Sequence, residues 1–102
     1  MSEQTIQPIT SRCTISTEYA SKYLQQLCKH FAHKRPTTFN ERTGQISFSA
    51  GECRLQANEA ELLITVEATD AEHLPQLEDV VARHLVRFAF REELQFVWHR
   101  FG

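Results

Sequence analysis

The side chains best able to hold a metal or an anion gather in two stretches of this chain. The first, residues 27–36, reads Leu-Cys-Lys-His-Phe-Ala-His-Lys-Arg-Pro. The second, residues 84–93, reads His-Leu-Val-Arg-Phe-Ala-Phe-Arg-Glu-Glu. His30 and His33 stand three positions apart, so on a helix they share a side. Such a pair can hold zinc, copper, iron or haem when a third group joins, and His84 is the candidate for that place. Cys28 is excluded from the set, because two helical steps carry it about 160° away from His30 around the axis. A simpler reading competes. His33, Lys34 and Arg35 at a helix C-terminus would complement its dipole and its last carbonyls. His30 would then only hydrogen-bond across a helix pair.

The same stretches offer cations to an anion. Lys34, Arg35, Arg83, Arg87 and Arg91, with the three histidines, could make one basic surface for an anionic small molecule such as a carboxylate or a phosphate. Arg87 and Arg91 are spaced i, i+4 and share a helix face. Against this, Glu78, Glu92 and Glu93 are close enough in sequence to neutralise the arginines. The candidate ligand-binding set is therefore His30, His33, Lys34, His84, Arg87 and Arg91. The candidate metal ligands are His30, His33 and His84, with the metal and any cofactor unassigned. No catalytic residue is named. The chain has no Gly-x-Ser-x-Gly, Cys-x-x-Cys, His-Glu-x-x-His, phosphate-binding loop or dinucleotide fingerprint.

The totals narrow the classes. A chain of 102 residues is expected to make one domain, with the globular core at about 10–99. A net charge of -2 supplies no global field for nucleic acid. Three cysteines, odd in number and dispersed at positions 13, 28 and 53, argue against a disulfide framework and for a reducing cytoplasm. The first residues do not read as a signal peptide. No run reaches the ~20 apolar residues of a membrane span.

The elements that must position the two stretches follow from periodicity. Ser11–Ser16 alternates as a half-buried strand, with Cys13 and Ile15 inward. A helix capped by Ser16 or Thr17 should run to about His33, ahead of Pro36, with Ala20, Leu24, Leu27 and Phe31 as its apolar stripe. Tyr23 and Cys28 flank that stripe. Residues 37–68 read as a meander of four strands. Gly44 is expected in a turn and Gly51 in the next, and Cys53 alternates inward. Thr69–Glu72 fits a capping box for a second helix, complicated by Pro75, whose apolar face is Leu74, Leu77, Val81, Leu85 and Phe88. Leu94, Phe96 and Trp98 alternate again and suggest a last strand. The expected fold is thus α+β in two layers, an antiparallel sheet covered on one face by two helices. Its open face would carry Ser47, Ser49, Arg54, Gln56, Leu63 and Thr65. That face could dock a partner protein or a second copy, which leaves monomer and homodimer both open.

The first stretch, from Leu27 to Lys34, with the second from His84 to Leu94 and then Trp98, resembles the bacterial family called domain of unknown function 2218. The likeness spans about Ser11 to Trp98. It implies a fold like that of the TATA-box-binding protein, in the order strand, helix, four strands, helix. It carries no established activity. Related domains look to be fused to flavin-dependent siderophore-interacting reductases, which implies an association with iron or siderophore handling and such a reductase as a partner. The expectation is a non-catalytic accessory or ligand-binding domain. The alternatives are a protein-interaction module using the open sheet face and a small histidine-based metal or haem protein.

Overall fold

In the computed structural model, residues 9–101 are described. They form β1 (Ile9–Ser16), α1 (Ala20–Ala32), β2 (Thr37–Phe39), β3 (Thr43–Phe48), β4 (Gly51–Ala57), β5 (Glu61–Ala68), α2 (Leu74–Phe88) and β6 (His99–Phe101). The strands make one sheet in the order β2-β3-β4-β5-β1-β6, antiparallel at every pairing. This is the expected α+β architecture and the expected element order, with one more strand at the β1 edge.

Alternation selects the buried face. Cys13 and Ile15, Ile46, Cys53 and Leu55, and Leu62, Ile64, Val66 and Ala68 all point into the core. Register lines them up: Ile46 faces Cys53, Cys53 faces Val66, and Val66 faces Ser11. The helices close over these rows with Leu24, Leu27 and Phe31 from α1 and Leu74, Leu77, Val81 and Leu85 from α2. Tyr23 and Cys28, which flank the α1 stripe, are buried as well. All three cysteines are free and buried. Among the described residues, no helix is long and apolar enough to cross a membrane.

Five local expectations need correction. β1 starts at Ile9, ahead of Ser11, because Ile9 pairs with Ala68 on β5. α1 starts at Ala20, later than a Thr17 cap would place it. Thr17 is committed to a turn, its Oγ1 accepting from the Tyr19 N–H at 3.1 Å. The Thr69–Glu72 capping box does not form. Asp70 Oδ1 instead accepts from the His73 N–H at 3.0 Å. The helix follows at Leu74 with Pro75 in its first positions, where no N–H needs a partner. Gly44 is not a turn residue: it is buried inside β3, where a Cβ would sit 2.7 Å from Cys28 Sγ and 3.3 Å from Leu24 Cδ2. Glycine there lets α1 lie directly on the strand. Lastly, the final strand is His99–Phe101, paired to β1, and not Leu94–Trp98. Leu94, Phe96 and Trp98 do turn one half-buried side to the core, but their backbone has no strand partner. Alternation reported burial there, not a ladder of hydrogen bonds.

Candidate functional site

The two stretches meet in space. Tyr23 near the start of α1 touches Glu92 beyond the end of α2, while His30 near the end of α1 reaches His84, so the helices run in opposite directions. The His30 and His84 rings lie 4.8 Å apart, centre to centre, with a 49° tilt. Phe31 packs 4.8 Å from His84 and edge-on to Phe48 at 5.1 Å, and Phe88 closes the group 6.1 Å from His30. Aromatic packing from the core therefore fixes where both imidazoles stand.

His84 has a defined polarity. Its Nδ1 is 2.7 Å from the Val80 carbonyl oxygen, one turn back. A carbonyl only accepts, so Nδ1 carries a proton and donates it to that oxygen. His30 is exposed, yet its pKa is held below the ordinary value. Partial burial is the largest cause, followed by the positive potential of His84, Lys34, Arg87 and His33.

Among the described residues, three of the nearby carboxylates are taken up by other partners. Glu78 is buried and turned to Arg100, its oxygens receiving Nε at 3.2 Å and Nη2 at 2.8 Å. Burial would raise the Glu78 carboxyl, but the Arg100 hydrogen bonds and charge outweigh it and hold the pKa below the usual range. Glu92 accepts from Tyr23 and Thr17 hydroxyls. Arg83 is taken up by Asp79 at 3.0 Å, one helical turn away, and so leaves the expected basic surface. Among the described residues, Lys34, Arg35, Arg87 and Arg91 make no ion pair. Arg87, His84 and Val86, with the paired Asp79 and Arg83, also line a hollow of about 420 Å³ along α2.

The structure thus gathers His30, His33, Lys34, His84 and Arg87 into one field. Arg91 belongs elsewhere, in a cleft beside the start of α1. Among the described residues, no three His, Cys, Asp or Glu side chains come together to hold an ion. On the open sheet face, Arg54 bridges Glu67 at 3.3 Å, while Leu63 and Thr65 are half-buried between neighbours. The ties made by Glu78 and Glu92 were not foreseen. Their only sequence signal was a carboxylate on, or just after, an apolar helix face.

Comparisons with known proteins agree on family and fold. Residues 12–99 match the family described as "Uncharacterized protein conserved in bacteria (DUF2218)". A search of curated proteins finds no match. Among solved structures, the chain is similar to the NMR structure of PA4090 from Pseudomonas aeruginosa, at 33% identity and a TM-score of 0.76. That alignment covers 89% of this chain and 95% of the other. With a match that runs over residues 12–99, the chain belongs to the bacterial DUF2218 family.

Proposed function

We propose that this chain is a non-catalytic, cytoplasmic accessory domain that binds a small polycarboxylate or phosphate at the junction of α1 and α2. One observation carries the reading: the His30 and His84 rings meet 4.8 Å apart at the helix junction, Lys34 and Arg87 make no ion pair among the described residues, and Glu78 and Glu92 are held by other partners. Arg87 would supply forked donors, Lys34 a point charge and His30 a proton that the anion stabilises. The implied link to siderophore handling makes iron-chelating anions of the citrate type the first class to try. Three buried free thiols are in keeping with a reducing compartment.

Calorimetric titration with citrate and inorganic phosphate tests this. Arg87→Ala and His30→Ala should each weaken binding by about tenfold, as expected for loss of a charge-assisted contact. The pH dependence has a definite sign. His30 is held below its ordinary pKa first by partial burial and then by the positive charge of its neighbours, and a bound anion would offset both. Affinity should therefore rise as pH falls from 7.5 through 5.5, near the ordinary imidazole range of about 6.5. Affinity that is flat over this range, or unmoved by both substitutions, sinks the proposal.

A further inference from the structure

At the other end of α1, Tyr19, Lys22, Tyr23, Phe88, Phe90 and Arg91 line a separate cleft of about 250 Å³. Four of these side chains are aromatic and two are cations. None is a carboxylate. Glu92, the acid adjacent to Arg91, has its carboxylate occupied by the Tyr23 and Thr17 hydroxyls. Lys22 and Arg91 make no ion pair among the described residues.

The aromatic surface is held open to water. Phe90 is 78% exposed and Tyr19 48%. Leaving two such rings uncovered on one cleft forgoes burial that would stabilise the fold. The turn that presents Phe90 is nonetheless tied down. The Ala89 N–H donates to the Leu85 carbonyl at 2.9 Å, and the Glu92 N–H to the Ala89 carbonyl at 3.2 Å. The Glu92 side chain adds its own anchors on α1 and the turn before it. Arg91 lies over the Phe90 ring, its guanidinium carbon 5.3 Å from the centroid. The Tyr19 and Tyr23 rings stand 6.2 Å apart.

We propose that this cleft binds a planar aromatic carboxylate. The ligand ring stacks against Tyr19 and Phe90, and its carboxylate meets the Arg91 fork and Lys22. A volume below the ~300 Å³ typical of the smallest drug-sized pockets favours one or two fused rings. Charge complementarity and the pairing of exposed rings with unpaired cations set this ligand class apart from inorganic anions, which need no ring surface.

The test is an NMR titration of the full chain with 1-naphthoate, beside cyclohexanecarboxylate and inorganic phosphate. Saturable 1-naphthoate binding is expected, with shifts at Tyr19, Lys22, Phe90 and Arg91. Cyclohexanecarboxylate should bind about tenfold more weakly, the scale of an aromatic and cation–π contribution. Phe90→Ala and Arg91→Ala should each weaken 1-naphthoate by about tenfold on the same scale. Because Phe90 is exposed, its alanine variant keeps the fold, and its thermal unfolding verifies this. His30→Ala and His84→Ala should leave this binding unchanged, which separates it from any anion site at the helix junction. No binding at millimolar 1-naphthoate, equal affinity for the cyclohexyl acid, or indifference to Phe90→Ala overturns the proposal.

Discussion

Replacing Glu92 by alanine should destabilise the fold by about 2–4 kcal/mol. Glu92 Oε2 accepts from Thr17 Oγ1 at 2.9 Å and from the Tyr23 hydroxyl. Each hydrogen bond to a charged group contributes roughly 1.5–3 kcal/mol, and two that share one oxygen are less than additive. Alanine also strands the hydroxyl of buried Tyr23. Urea denaturation measures the loss as a lower midpoint at unchanged slope. Tyr23 gives an independent readout. Its pKa is pushed up to about 12, first by burial and then by the hydrogen bond and charge of Glu92. Glu92→Gln removes the charge and keeps an acceptor, so the pKa should fall towards the ordinary 10 yet stay above it, because burial persists. Ultraviolet titration in a Tyr19→Phe background isolates the residue. The linkage runs one way. A phenol with a raised folded pKa contributes stability that is intact below pH 10 and lost as pH rises towards 12. The upper bound is about 3 kcal/mol, from about 1.4 kcal/mol per pKa unit. A stability loss under about 1 kcal/mol in Glu92→Ala, less than one such bond, would refute the view of Glu92 as a tie. So would an unshifted Tyr23 titration in Glu92→Gln.

Arg100→Ala removes the partner of a Glu78 that is only 7% exposed. The cost should be about 1–3 kcal/mol, under that of a fully buried pair because Arg100 itself is half exposed. Glu78 is now held below its ordinary pKa of 4.5, so its contribution is present above that pH and lost on acidification through the lower folded value. Without Arg100, burial raises the carboxyl, and acid unfolding should begin at higher pH. Circular dichroism against pH, with an unmoved midpoint, would count against the pair. Gly44→Ala should cost about 1–3 kcal/mol by overpacking, since the new Cβ meets Cys28 Sγ at 2.7 Å. Adding Cys28→Ala frees that space and should recover at least half of the loss in a double-mutant cycle; strictly additive effects would mean that the contact is not the cause.

The sequence by itself determined the order of elements and which face of each is buried. A period of two in Ile46, Cys53, Leu55, Leu62, Ile64 and Val66, and a helical period in Leu24, Leu27, Phe31, Val81 and Leu85, leave few other ways to remove those side chains from water. It also marked His30, His84 and Arg87 as chemically able, because their types can be read without coordinates. Periodicity describes one element at a time and is silent about neighbours. It could not tell a paired strand from the unpaired alternation of Leu94, Phe96 and Trp98, nor a turn glycine from Gly44 beneath α1. It also left open which carboxylates would neutralise which cations. Only the tertiary structure decided that Glu78 turns to Arg100 on the added edge strand and Glu92 to Tyr23 across the helix pair. Those choices depend on a few ångströms of packing between distant segments, and among the described residues they leave Arg87 and Arg91 without an ion-pair partner in two separate places.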